Sequence, residues 1–173
     1  IKEEIGDKRG MGITLGNIGI VHKNKGDYDT ALEYYDRSLK IKEEIGDKRG
    51  VGLTLTSIGI VNADRDDYDK ALDYYDRALK IQEELGDKYG MAYSLNSIGD
   101  VHLNRGEYDT ALEYYDRSLK IREEIGNKRG MGAILGNIGN VHLNKGEYDK
   151  AAEHLEESLN IQKEIGLKEI ELE

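Results

Sequence analysis

The chain of 173 residues has no cysteine, so a disulfide framework and a cysteine-ligated zinc or iron-sulfur centre are both excluded. A reducing compartment is therefore allowed, and a cytoplasmic location is the expectation. No apolar run approaches the roughly 20 residues that a transmembrane helix needs, and the opening Ile1-Lys2-Glu3-Glu4-Ile5 does not read as a signal peptide. Nor is there a block of Lys or Arg. With a net charge of -10 and the two signs interleaved, a nucleic-acid groove and an anionic membrane surface are both disfavoured as partners. A local basic stripe could still receive an acidic segment.

What the chain has is a repeat. The stretch Asp7 to Gly46 recurs as Asp47 to Gly86, Asp87 to Gly126 and Asn127 to Gly166, with Tyr28, Tyr68, Tyr108 and Tyr148 keeping the period of 40 residues. Self-similarity at this period predicts a stacked array, because no single repeat can bury its apolar face alone. The expected fold is an all-α solenoid of four helix pairs. Residues 1–6 match the end of a repeat, since Ile1 to Ile5 parallels Ile41 to Ile45, and residues 167–173 read as the start of a further helix or a tail. The chain thus reads as a fragment of a longer array.

Within the first repeat, Asp7 is placed to cap a helix A over residues 8–24, whose Met11, Leu15, Ile18 and His22 fall on one face. Gly10, Gly12, Gly16 and Gly19 each cost that helix about 1 kcal/mol relative to Ala, so it must be held by its neighbours. Gly26 suits a left-handed residue closing helix A, and Asp27 can then begin a helix B over residues 28–45. Helix B carries Ala31, Leu32, Tyr35, Leu39 and Ile41 or Lys42 on its packing faces, with Tyr35 inside and Tyr34 toward the next repeat. The second repeat replaces the turn glycine by Asp66, which tolerates the left-handed region at some cost. In the fourth, the Tyr34-Tyr35-Asp36-Arg37 segment becomes His154-Leu155-Glu156-Glu157.

The pattern Leu15, Ile18-Gly19, Gly26, Tyr28, Ala31, Tyr35 and Ser38-Leu39 resembles the tetratricopeptide repeat, and does so four times over the whole chain. The usual unit of that family has 34 residues and tends to end in proline. This chain has no proline and carries Glu43 where one would fall, which is similar to the longer variant in LGN-type adaptors and in bacterial and archaeal arrays. The resemblance implies a right-handed superhelix with helix A lining the concave side. It implies close helix contacts at Gly19, Ala31 and Ser38, and partner binding rather than catalysis.

Helical spacing independently groups a second stripe on helix A, away from the Leu15 face: Arg9, Ile13, Gly16, Asn17, Ile20, Lys23 and Asn24. Its counterparts include Arg49, Leu53, Thr56, Ser57 and Ile60; then Tyr89, Tyr93, Asn96, Ser97, Asp100, Leu103 and Asn104; then Arg129, Gly136, Asn137, Asn140, Leu143 and Asn144. Repeats one and three differ at 11 of 40 positions, eight of them in helix A and six of those on this stripe, whereas helix B changes only at Lys42. A copied scaffold with a varied groove explains that bias; drift of exposed positions is the competing reading.

The stripe is the candidate partner site. The expected partner is an extended protein or peptide segment, hydrogen-bonded by the arginine ladder and the Asn/Ser row, and anchored on Tyr89 and Tyr93. Members of the resembled family that grip a C-terminal carboxylate place a lysine just after the Leu15-type position. Here that place is held by Gly16, Thr56, Asn96 and Gly136, so that clamp is absent. The alternative function is a structural module stacking head to tail on further copies.

No catalytic site, cofactor or metal is expected. Each candidate residue has structural copies, and catalysis calls for one singular constellation. The helix A glycines lack the G-x-G-x-x-G order, because Leu15 takes the third place. His22, His102 and His142 recur one per repeat and read as packing residues. The run Asn62, Asp64, Asp66 and Asp67 lacks the glycine and the distal glutamate of a calcium loop.

Overall fold

The computed structural model describes residues 2–170, with side chains from 7 to 166. Those residues form eight α-helices and no strand. One compact unit, Ile1–Gly90, holds α1 (Lys2–Asn24), α2 (Tyr28–Glu44), α3 (Lys48–Asp64) and α4 (Tyr68–Leu85). The other, Met91–Glu173, holds α6 (Tyr108–Glu124), α7 (Lys128–Lys145), α8 (Tyr148–Ile170) and all but the first turn of α5 (Lys88–Asn104). Each odd-numbered helix is a helix A and each even-numbered one a helix B.

The turn inside each repeat follows from one backbone requirement. Gly26 adopts φ +78°, and the amides of Gly26 and Asp27 donate back to the carbonyls of Lys23 and His22, closing α1 and releasing the chain into α2. Asp66 takes the same left-handed conformation, φ 61°, as the one non-glycine to do so among the described residues. At the junction between repeats, Asp47 Oδ1 accepts from Gly50 N at 3.0 Å and Asn127 Oδ1 from Gly130 N at 3.0 Å, so a capping side chain starts each following helix A.

Two ends depart from the repeat pattern. Asp7 lies within α1 instead of capping it, because the helix already runs from Lys2. At the other end α8 passes through Gly166 to Ile170 without a break, so residues 167–170 prolong that helix B and do not begin a new one; residues 171–173 lie outside the described ones. Gly6 and Gly166 stand where Gly46 turns the chain, yet neither is left-handed.

Within a repeat the helices run antiparallel. Gly12 faces Lys42, Gly16 faces Ser38 and Gly19 faces Tyr35, so rising numbers on α1 meet falling numbers on α2. Ser38 Oγ donates to the Gly12 carbonyl at 2.7 Å, and Ser118 and Ser158 repeat the bond to Ala92 and Gly132 at the same length. A buried hydroxyl is thereby satisfied at the point of closest approach.

In the first unit α2 packs on α3 through Ala31, Tyr35, Ile58 and Val61, flanked by Tyr28, Leu32, Leu39 and Tyr74. Val51, Leu55 and Ala78 continue the core toward α4. The second unit builds the same core from Ala111, Tyr115, Ile134, Ile138 and Val141. Ion pairs mark both directions of packing: Lys48 with Glu84 ties the far ends of α3 and α4, and Arg65 Nη1 meets Asp29 Oδ1 of the preceding repeat at 2.6 Å.

The apolar face of α1 is only partly covered. Met11 is 55% and Val21 51% exposed, whereas Val61, Val101 and Val141 are almost fully buried. Val61 and Val141 each share a core with the preceding helix B, whereas α1 packs chiefly on α2. The expectation that Met11 joins Leu15 in the core is corrected accordingly. Tyr34 also differs: it stacks on His22 of its own repeat, centroids 5.5 Å apart, with Arg37 over its ring at 5.3 Å.

Candidate functional site

In the first unit, α1 and α3 frame an open groove of about 230 Å³ lined by Ile13, Gly16, Asn17, Ile20, Leu53, Thr54, Ser57, Tyr35 and Lys42. Ile13, Asn17 and Ile20 share one face of α1, and Leu53 of α3 stands across the groove from them. The walls are apolar and solvent-facing, with Ile13 51%, Ile20 45% and Leu53 55% exposed. Arg9 and Asn24 lie exposed at either side of this stretch of α1, and Ile60 is half-buried on α3. Arg49 is exposed, and its Nε pairs with Asp87 Oδ2 at 3.5 Å, so it braces the next junction.

The floor of the groove comes from helix B, which the stripe on helix A does not include. Tyr35 and Lys42 reach it from α2 because Gly12, Gly16 and Gly19 have no side chains to block them; a Cβ at Gly19 would stand 2.7 Å from Tyr35 Cε1. Lys42 is 9% exposed, and its Nζ donates to Thr54 Oγ1 at 2.8 Å, while that hydroxyl donates to the Gly50 carbonyl at 2.9 Å. Burial pushes the ammonium pKa down, with Asp47 nearby opposing the shift. The sequence signal for Lys42 was its standing as the single helix B difference between repeats one and three.

In the second unit the stripe is more polar and partly self-satisfied. Asp100 accepts from Tyr115 Oη at 2.6 Å and from Asn96 Nδ2 at 2.9 Å, and Asn137 Nδ2 donates to Asn96 Oδ1 at 3.1 Å. Burial raises the Asp100 pKa, and the bonds from Tyr115 and Asn96 work against it. The Tyr115 hydroxyl is pushed well up by burial first and by the adjoining carboxylate second. Asn96, Asp100 and Asn137 therefore bind one another, a pairing that the sequence does not disclose. Leu103 packs against the core of Tyr115 and Val141 instead of standing free.

Tyr89 and Tyr93 are open, at 61% and 49% exposure. Asn104, Arg129, Asn140 and Asn144 are exposed as well.

The sequence profile of the tetratricopeptide repeat matches residues 10–84 and 90–164. The chain belongs to the tetratricopeptide repeat family. No curated protein matches it. Among solved structures, the chain is similar to BtubC (BKLC) from P. vanneervenii, with a TM-score of 0.80 at 20% identity, over 90% of this chain and 64% of that one. It is also similar to aspartyl phosphate phosphatase F from Bacillus subtilis, with a TM-score of 0.88 at 16% identity, over 92% of this chain and 42% of that one. A third is the Rap conjugation gene regulator of plasmid pLS20 in complex with the Phr* peptide, with a TM-score of 0.73 at 19% identity, over 82% and 40%. At these identities the likeness concerns the fold, and the chain spans between 40% and 64% of their lengths.

The recurrent histidines of these tetratricopeptide repeats are packing residues with their ring nitrogens engaged. His22 Nδ1 lies 3.0 Å from Asp27 and His142 Nδ1 2.7 Å from Glu147, while their rings stack on Tyr34 and His154. In the acidic turn of the second repeat, Asn62 is buried and donates to the Ile58 carbonyl, and Asp66 and Asp67 accept from Tyr68 and Lys70. Among the described residues no group of three His, Cys, Asp or Glu could hold a metal ion, and no helix is long and apolar enough to cross a membrane.

Proposed function

We propose that this chain is a protein- or peptide-binding scaffold that holds an extended segment along the helix A faces, and that it is not an enzyme. The observation that carries the reading is the groove of the first unit, where exposed Ile13, Ile20 and Leu53 flank polar Asn17 and Ser57 above a buried floor. Apolar walls supply pockets for alternate side chains, and the amide and hydroxyl supply hydrogen bonds to an extended backbone. Membership of the family and the peptide complex of the similar pLS20 regulator support the same role. The exposed Tyr89 and Tyr93 are the anchors of the second unit.

Selection of peptides from a displayed random library on the full chain tests this. Leu53→Asp and Tyr93→Ala, both at exposed positions, are expected to weaken the selected peptides by at least about fivefold, a loss of about 1 kcal/mol or more, without lowering the melting temperature. Binding that ignores both changes sinks the groove assignment.

Head-to-tail association is the second reading, favoured by the uncovered Met11 and Val21 on α1 and Leu159, 48% exposed, on α8. Light-scattering mass across a wide concentration range separates the two. A constant monomer mass removes this reading, and a mass that climbs with concentration and collapses in Val21→Glu establishes it.

A further inference from the structure

The Lys42 ammonium makes no ion pair among the described residues, although the Asp47 carboxylate lies near enough to favour its charge. The residue is 9% exposed, yet its one hydrogen-bond acceptor among the described residues is the neutral Thr54 hydroxyl, at 2.8 Å. Asp47, the nearest acidic influence, spends its Oδ1 on the Gly50 amide and makes no ion pair with Lys42. The rest of the ammonium faces the open groove. Holding a charge with so little exposed surface and no ion pair costs stability, so the position calls for another reason.

The repeat framework does not need that charge. Gln82 stands at the matching position of α4, 4% exposed, and Gln162 at that of α8, bonded through Nε2 to Ser158 Oγ at 3.4 Å. The third repeat instead has Arg122, half-buried, with Nε on Ser118 Oγ at 3.2 Å. A cation and then a glutamine thus follow one another in both units. Each cation belongs to the repeat whose helix A opens that unit's stripe.

Lys42 also points the right way. Its side chain passes Gly12, where an added Cβ would be 3.4 Å from Cγ, and its Nζ comes within 3.8 Å of the place a Cβ on Gly16 would take. It lines the same groove as Ile13 and Leu53.

We propose that Lys42 is the recognition residue for an aspartate or glutamate side chain of the bound segment, flanked in that segment by apolar residues that fill the Ile13, Ile20 and Leu53 walls. The proposal rests on the groove reading given above and names the chemistry of its ligand. A carboxylate entering beside Asn17 accepts from the ammonium N–H groups that face the groove, a charge-assisted bond flanked by apolar walls. The lysine comes from helix B and reaches the groove through glycines, so it is not the helix A lysine that position 16 lacks.

The test uses the full chain and random linear peptides displayed with their C-termini fused, so that a carboxylate can come only from a side chain. Selected peptides are expected to share one Asp or Glu between apolar residues. Lys42→Gln, which installs the residue that α4 and α8 already accommodate, is expected to weaken them about tenfold or more, as is the Glu→Gln peptide. The two changes together should cost little beyond either one.

Binders without an acidic position, or losses that simply add, overturn the carboxylate proposal and leave the groove reading standing. If only a second library with free C-termini yields binders sensitive to Lys42→Gln, the side-chain assignment is overturned in favour of a terminal carboxylate. A parallel titration with glutarate follows the Lys42 ε-methylene NMR signal. A saturating shift shows that Lys42 takes a carboxylate; where no peptide is selected beside it, the extended-segment reading falls and with it the assignment of that carboxylate to a bound segment. No shift and no binders remove both.

Discussion

Gly59 lies against the ring of Tyr75, so closely that a Cβ at position 59 would stand 2.5 Å from Tyr75 Cε1. Tyr75 is 2% exposed and cannot swing away. The same contact joins Gly19 to Tyr35 and Gly99 to Tyr115, and in the fourth repeat Gly139 meets Leu155 at 2.7 Å. Gly59→Ala is therefore expected to destabilise the fold by about 1–3 kcal/mol, although alanine favours a helix. Gly10, with nothing within 4 Å of an added Cβ, is the control. Gly10→Ala should stabilise by about 0.5–1 kcal/mol. Urea denaturation of the two variants checks the opposite signs, and a stabilised Gly59→Ala would contradict the packing account.

Asp66 holds a backbone shape that its three counterparts Gly26, Gly106 and Gly146 give to glycine. Asp66→Gly relieves the left-handed strain and gives up an exposed hydrogen bond from Tyr68 Oη at 2.7 Å. The strain is the larger effect, so a gain of up to about 1 kcal/mol is expected by thermal or urea denaturation.

Asp100 should make stability fall as pH rises through the weakly acidic range. Its carboxyl is raised by burial, so the folded state holds the proton more tightly than the unfolded chain. That contribution is complete below the unfolded value of about 3.9 and is lost as pH rises through the folded pKa. Asn cannot titrate. The stability of wild type relative to Asp100→Asn is expected to decline over that window and then level off, and a flat difference in urea titrations would refute it.

Glu147 gives the reverse sign. The His142 hydrogen bond, and after it Lys150, hold its carboxyl below the usual value. The stabilisation is present above the unfolded value of about 4.3 and disappears as pH falls through the folded one. The advantage of wild type over Glu147→Gln should shrink on acidification, measured by the same denaturation series.

The grouping of residues along a single helix was legible before any coordinate. Residues at three- and four-residue steps share a helix face by geometry alone, which is why Ile13, Asn17 and Ile20 of α1 line one wall of the groove. Partners chosen across helices are a different matter. Asn96, Asp100 and Asn137 fall on the predicted stripe, but their pairing with Tyr115 depends on how α5, α6 and α7 approach one another. Leu103 likewise lies at an edge where a small rotation of α5 decides between core and groove.

By itself, the sequence determined the period, the all-α class, the left-handed turns at Gly26 and Asp66 and the helix starts at Asp47 and Asn127, because each depends on local backbone preference or on spacing along one helix. Tertiary structure alone decided that Lys42 crosses from helix B to the floor of a helix A groove. That path exists only where Gly12 and Gly16 leave room and α1, α2 and α3 meet at close range, a condition set by packing between segments that no single stretch of sequence contains.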